Sequence, residues 1–408
     1  MNIHRALMTI MRHIILCLLG LAFVAPGSSA QTSMPPAENT ADSLAVITET
    51  PDTLYVIHRK RSLIDKIIEY LDDTNKEHPD RKVDFSFLAG PSYSSSTSLN
   101  VAVIAAGLYH GGPKETTPLS EMSVYAQGSI KGMYRVGIRG RHVFRNDKFR
   151  IVYDANFCHL PSKYWGIGYA NGANKANESD YTLLESGVLA EFQWHLPHNI
   201  YIGPVLDFYY AKATKMQKPE LWDGLKLRSL NYGAGFMFSI DTRDFPTNAT
   251  TGVNVGIRQL FYPPMFGNRN LFSVTELTAA WYHRFWQSGV CAFQIHGAGS
   301  TEHTPWVLLP SLNATDAMRG YYTDRYRDKG EIDFVAEIRQ HIYRRNSIVV
   351  WGGVGSVFSR MSQINWHTLL PSYGIGYRWE FKKRVNVRAD IGFGKRSFEF
   401  TLGLNESF

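Results

Sequence analysis

The sequence predicts an all-β chain, a 16-stranded antiparallel transmembrane β-barrel preceded by one short helix. Three observations predict it. From residue 83 onward, stretches of about ten residues alternate apolar and polar side chains, the two-face period of a strand. Tight polar turns alternate with long loops between those stretches. After residue 25 no apolar run approaches the roughly 18–20 residues that a spanning helix needs, which excludes a bundle of membrane helices. A hydrophobic share of 44% with 34 glycines, 22 tyrosines and 23 phenylalanines is too apolar for a disordered chain. The net charge of +7 invites a nucleic-acid reading, but Lys and Arg are scattered rather than clustered. Nucleic acid is excluded as a partner.

Residues 1–30 read as a signal peptide. His4, Arg5 and Arg12 precede the apolar run 14–25, and Ser28, Ser29 and Ala30 offer a small-residue cleavage site before Gln31. The start is Met1 or Met11. Cys17 leaves with this segment, so the exported chain keeps Cys158 and Cys291, too few to staple a small secreted fold. Residues 31 to about 56, rich in Thr, Ser, Pro, Ala and acids, read as a flexible leader. Leu63, Ile64, Ile67, Ile68 and Leu71 then recur at helical spacing, with Lys66, Glu69 and Asp72 between them. They predict an amphipathic helix over about 60–73 within a periplasmic segment 31–82.

The barrel is expected over 83–408. Its strands are predicted at 83–91, 98–108, 120–131, 133–143, 148–158, 181–195, 199–212 and 227–241. The second half follows at 252–263, 271–285, 289–301, 331–343, 347–358, 372–382, 385–393 and 397–404. About twenty residues per strand and connection suit tilted membrane strands of about 9–11 residues. Tight turns at 145–148, 197–199, 287–289, 344–346 and 382–384 alternate with long linkers at 159–180, 213–226 and 302–330. That asymmetry is the mark of an outer-membrane barrel with both ends on the periplasmic side. A soluble sandwich would turn a polar face to water. Here one face of the strands is large and aromatic, and the other holds glycines and neighbouring charges, Arg378 with Glu380 and Arg388 with Asp390. An aromatic outside around a charged inside fits lipid better than water.

Three motifs carry a family resemblance. Met318, Arg319, Gly320, Tyr321 and Tyr322 stand on the connection between the eleventh and twelfth predicted strands. Asp241, Thr242, Arg243 and Asp244, followed by Phe245, Pro246, Thr247 and Gly252, stand between the eighth and ninth. Ala336, Glu337, Ile338 and Arg339 stand on the strand that follows the long loop. In their chain order, 241–244, then 318–322, then 336–339, they resemble the signatures of the BamA/TamA outer-membrane assembly superfamily, the bacterial surface antigen barrels. The resemblance implies a loop folded back into the lumen that carries Arg319, Gly320, Tyr321 and Tyr322, and a periplasmic turn at Asp241–Asp244. Phe398, Phe400, Leu402 and Leu404 on one face, ending with Phe408, resemble the family's barrel-assembly signal, with Glu406 as a departure. Gly353 stands where the family commonly has an Asp, which removes one acceptor for the loop arginine. The 52 residues between Gln31 and Lys82 hold no complete POTRA domain, so the chain reads as a barrel-only member.

The resemblance implies a barrel of the cell outer membrane that assists insertion or export of outer-membrane or surface proteins. Its partners would be outer-membrane lipids, client proteins and periplasmic accessory proteins. The other reading is a passive pore or structural surface antigen. Gly90 and Pro91 end the first strand early, which suits either a weak seam with the last strand or a simple strand end. No catalytic or cofactor site is expected. The glycine clusters lack a phosphate-loop setting, no serine stands in a nucleophile elbow, and His195 with His198 lacks a third metal ligand. On the strand after the loop, Asp333, Glu337, Arg339 and His341 share the polar parity. Glu337 is therefore the expected partner of Arg319, with Asp324 or Asp328 as alternatives. Cys158 and Cys291, placed near opposite ends of their strands, are expected to stay free thiols.

Overall fold

The computed structural model describes residues 43–50, 53–60 and 83–408, apart from 95–97, 266, 267, 269, 313, 315, 383 and 384. The chain divides into two units, Met1–Glu77 and His78–Phe408. In the first, β1 (Ser43–Thr50) and β2 (Thr53–Lys60) form an antiparallel hairpin, paired from Ser43–Lys60 to Thr50–Thr53. This corrects the expectation of an unstructured leader to about 56. Composition masked the β-branched residues on both sides of Pro51 and Asp52, Val46, Ile47, Thr48 and Thr50 before and Thr53, Val56 and Ile57 after, a hairpin pattern. The same hairpin takes Lys60 into a strand. The rest of the expected helix, and the signal segment 1–30, lie outside the described residues.

The second unit is one antiparallel sheet of sixteen strands in strictly sequential order. Its first half comprises β3 (Val83–Ser94), β4 (Ser98–His110), β5 (Leu119–Ser129), β6 (Tyr134–Val143), β7 (Phe149–Tyr164), β8 (Ser179–Leu196), β9 (Ile200–Thr214) and β10 (Arg228–Asp241). The second half comprises β11 (Gly252–Tyr262), β12 (Phe272–Trp286), β13 (Gly289–Ser300), β14 (Gly330–Tyr343), β15 (Asn346–Phe358), β16 (Leu370–Lys382), β17 (Val385–Gly394) and β18 (Ser397–Leu404). β18 lies against β3, which curls the sheet into a barrel. No helix among the described residues is long and apolar enough to cross a membrane.

The largest departure from the expected strands is the β7–β8 hairpin, which runs past 158 to pair Tyr164 with Ser179. Pro161 reads as a breaker in the sequence. In the fold, β6 ends its pairing at Tyr134–His159, so Pro161 stands beyond it on an open edge, where a missing N–H is tolerated. The linker shrinks accordingly to 165–178.

Burial is inverted relative to a protein in water. Along β14, Glu331, Asp333, Val335, Glu337 and Arg339 are buried, while Ile332, Phe334 and Ile338 are exposed. Glu337 is 1% exposed and its neighbour Ile338 is 48% exposed. The same alternation leaves Val188, Leu206, Phe236, Leu277, Trp281, Val350 and Ile375 on the outside. A continuous apolar exterior of this extent demands an apolar surrounding. At the short-turn end, exposed Phe144, Trp194, Phe285, Trp286 and Tyr343 supply the aromatic girdle that sits at a membrane interface.

Candidate functional site in the barrel interior

The connection 301–329 between β13 and β14 carries Arg319 into the barrel, where it is 1% exposed. Its guanidinium Nη2 donates to Glu337 Oε2 on β14, and Nη1 donates to Asp390 Oδ2 on β17 at 3.1 Å. The guanidinium also lies over the ring of Trp351 on β15, 3.6 Å from its centroid. Three strands of the wall thus hold one loop arginine, two by charge and one by a π face. A charge desolvated this far is tolerable only with such partners.

Each acceptor is itself shared. Glu337 Oε1 accepts from Arg339 Nε at 2.7 Å, and Asp390 Oδ1 accepts from Arg378 Nη1 at 2.5 Å. Arg378 Nε donates in turn to Glu406 Oε2 at 2.8 Å. Arg319, Arg339 and Arg378 therefore alternate with Glu337, Asp390 and Glu406 in a chain whose charges balance. The neighbouring charges expected to pair along single strands pair otherwise. Arg378 reaches Asp390 across β16 and β17, and Arg388 reaches Asp316 of the loop at 3.3 Å. Arg378 faces Arg388 across the two strands and Asp390 faces Gly376, so Asp390 is the diagonal neighbour of Arg378 across the pair.

The backbone around Arg319 crosses the wall at close range. Gly320 takes φ +109°, and a Cβ there would stand 2.6 Å from the carbonyl carbon of Phe393. A Cβ on Gly392 would stand 2.6 Å from the Gly320 nitrogen. Only a glycine pair permits this contact of loop and β17. The carbonyl of Arg319 accepts from Ser372 Oγ at 2.5 Å. Tyr321 Oη donates to the Pro371 carbonyl at 2.6 Å and accepts from the Lys395 N–H at 2.8 Å. Burial raises the pKa of this phenol, so it remains a donor at physiological pH. Tyr322 packs edge-on against Trp165, with centroids 5.2 Å apart.

The alternatives for Arg319 are engaged elsewhere. Asp324 meets Arg327 at 3.1 Å, and Asp328 Oδ1 accepts from Ser359 Oγ at 2.6 Å. Arg327 Nη1 donates to the Trp306 carbonyl at 2.9 Å. Trp306 stacks edge-on with Trp222, Tyr164 and Tyr181, anchoring the loop between its neighbours. Gly353, where an acceptor is missing, is closely packed: a Cβ there would stand 2.7 Å from the Phe334 carbonyl oxygen.

The turn motif is a rigid bracket at the other end. Asp241 accepts from Arg243 Nε and Nη2, both at 2.8 Å, and Arg243 Nη1 reaches the Pro246 carbonyl at 3.2 Å. Asp244 accepts from the N–H and hydroxyl of Thr250, each at 2.8 Å, and Thr242 Oγ1 accepts from the Val253 N–H at 3.0 Å. Residues 405–408 fold onto this bracket. Asn405 takes φ +63°, the Glu406 N–H donates to the Thr247 carbonyl at 3.3 Å, and Arg339 Nη2 donates to the Phe408 carbonyl at 2.8 Å. Phe408 therefore leaves the face on which Phe398 is exposed and packs inward near Tyr282. Phe400 and Leu402 stay on β18 and are half-buried; Leu404 is its last residue.

Trp351 and Asp390 as holders of Arg319, and Arg378 and Glu406 beyond them, do not emerge from the motifs. Inward parity on β15 to β17 was the signal that could have found Asp390 and Trp351. His195 stacks on Tyr201 and its Nδ1 lies 3.0 Å from the Asp147 carbonyl, an arrangement of a turn rather than a ligand set. Cys158 and Cys291 are both free.

No protein-family model matches the chain, and no curated protein matches it. Solved structures do. The chain is similar to BamA from Haemophilus ducreyi lacking POTRA domains 1-3, at 11% identity over 89% of this chain and 75% of that one, with a TM-score of 0.53. It is similar also to CdiB from Escherichia coli, at 10% identity over 83% of this chain and 69% of that one, with a TM-score of 0.54. With the apolar exterior and the aromatic girdle, that likeness makes the fold an outer-membrane β-barrel of the BamA type.

Proposed function

We propose that this barrel assists the insertion or export of outer-membrane or surface proteins, and that a client strand adds at the seam between β3 and β18. The seam carries the reading. Among the described residues every other neighbouring pair from β3 to β18 shares a hydrogen-bonded ladder, and these two strands lie together without one. A strand edge that shares no ladder with its neighbour is a template for strand addition. The order of the three motifs supports the same activity by resemblance to the assembly superfamily. In this reading 1–30 is a signal peptide, 31–82 is periplasmic and 83–408 is the barrel. Its partners are membrane lipids, client proteins and periplasmic accessory proteins.

The test is made in cells with a photo-crosslinking residue in β18 and a cysteine pair joining β3 to β18. The reduced chain should form adducts with other outer-membrane proteins, and oxidation should abolish them. Adducts that persist behind a sealed seam refute strand addition. Ion conductance in planar bilayers with no adducts from the reduced chain would favour the passive pore or surface antigen instead.

A further inference from the structure

We propose that the inner wall of β12, β13 and β14 holds a divalent metal ion, bound by His296, Glu331 and Asp333. His296 Nδ1 and one carboxylate oxygen from each acid lie within 4.8 Å of one another. The register makes the cluster: His296 faces Asp333 across β13 and β14, and Ala298, which has no polar side chain, faces Glu331. Both acids are deeply buried, at 2% and 1% exposure.

Hydrogen bonding does not account for these groups. All four oxygens of Glu331 and Asp333, and Nδ1 of His296, lack a hydrogen-bond partner. Nδ1 lies 2.5 Å from Glu331 Oε1 and 3.7 Å from Asp333 Oδ2, but neither approach has hydrogen-bond geometry. On the far side β15 presents Gly355 and Val357 opposite the two acids, and neither side chain offers a donor. Two buried carboxylates without donors are costly. A cation bound to one oxygen of each removes that cost.

The other ring nitrogen supports the assignment. His296 Nε2 lies 3.2 Å from Glu276 Oε1 on β12, so a neutral imidazole that donates there presents its Nδ1 lone pair to the metal. Glu276 is itself held by Arg258, which also reaches Glu191 at 2.9 Å. Four carboxylates thus surround one guanidinium and one imidazole, and the excess negative charge suits a dication. One nitrogen and two carboxylate oxygens fit Zn(II) or Mn(II). Tetrahedral bonds of about 2.1 Å separate ligand atoms by about 3.4 Å. The 3.7 Å spacing matches, and the Glu331 carboxylate backs away from Nδ1 as the ion enters.

The test uses the full chain without a polyhistidine tag, folded in detergent, stripped with chelator and titrated with Zn(II) alone and Mn(II) alone by calorimetry. One of these ions should bind at one equivalent per chain at micromolar concentration. The nearly isosteric double change Glu331→Gln with Asp333→Asn should abolish that binding, and Glu276→Gln should weaken it about 10–100-fold. Heat-modifiable gel mobility reports folding of each variant. If the double variant does not fold, Co(II) added to the parent chain decides. Intense visible bands of a low-coordinate centre support the site, and the weak spectrum of the hydrated ion overturns it. No uptake by the parent chain, or undiminished uptake by the folded double variant, overturns the proposal as well.

Discussion

Replacing Arg319 by alanine removes two ion pairs and one stacked face from the barrel interior, and the remaining groups set the size of the effect. Glu337 keeps Arg339 and Asp390 keeps Arg378, so neither carboxylate is stranded. The loss therefore falls at the lower end of the about 3–5 kcal/mol typical of a broken buried pair. The stacking on Trp351, desolvated at 3.6 Å, adds up to about 2 kcal/mol. Together these predict about 4 kcal/mol, or close to a 10³-fold rise in the open population of the loop. Limited trypsin digestion of the folded barrel reads this population directly, because Arg325, Arg327 and Lys329 lie in the same loop and cleavage follows opening when reclosing is fast. Arg319→Lys should fall between, keeping the charge and losing the planar fork. Combined with Glu337→Gln, Arg319→Ala should cost less than the two single changes added, by about 1–3 kcal/mol. Unchanged cleavage of Arg319→Ala, or strict additivity in the cycle, would refute the network.

The crossing of loop and wall predicts that Gly320→Ala loosens the same loop with every charge in place. A Cβ at φ +109° would meet the Phe393 backbone, so its cleavage should accelerate at least 10-fold, and a rate equal to the parent's would exclude the close crossing. Asp244→Ala strips the acceptor of two backbone N–H groups and one hydroxyl in the turn 242–251. It should cost about 1–3 kcal/mol, read as a lower urea midpoint for unfolding of the barrel. Mass spectrometry after alkylation should find both Cys158 and Cys291 free, with Cys158, fully buried, modified only after unfolding. A native bridge between them would contradict the register of β7 and β13.

How much the sequence reveals depends on how local the signal is. Strand positions are legible because period two is written into each stretch, and β14 could be split into faces from Phe334, Ile338 and Glu337 alone. The choice of Glu337 as the expected partner of Arg319 followed from that parity. What escaped is non-local. Asp390 stands 71 residues from Arg319, and nothing in a linear reading says that β17 curves under the loop. Pairing Arg388 with Asp390 by proximity in sequence failed for the same reason, since Arg378 on β16 takes Asp390 from across the strand pair. The hairpin of β1 and β2 was hidden by composition, and the cluster at His296 by distance between strands. His195 and His198 drew the metal question because they are close in sequence, whereas Glu331 and Asp333 meet their histidine only through the β13–β14 register.

The placement of the network bears on how the proposed seam could open. Arg319 bonds to Asp390 on β17, and Gly320 rests on the backbone of Phe393 in the same strand. Glu406, which follows β18, is held by Arg378 on β16, and Phe408 by Arg339 on β14. β17 and the residues after β18 are therefore tied to the interior by four contacts, while among the described residues β18 meets β3 without a ladder. Displacing β18 outward at the seam stretches the Arg378–Glu406 and Arg339–Phe408 contacts before it strains any strand of the opposite wall. Displacing β17 as well requires the Arg319–Asp390 pair to break. In the proposed activity the loop arginine thus sets how far the edge can peel: one strand against contacts of 405–408, two strands only against the buried network. A client that adds a strand at β18 meets the weaker restraint first, and Arg319→Ala should widen the opening from one strand to two.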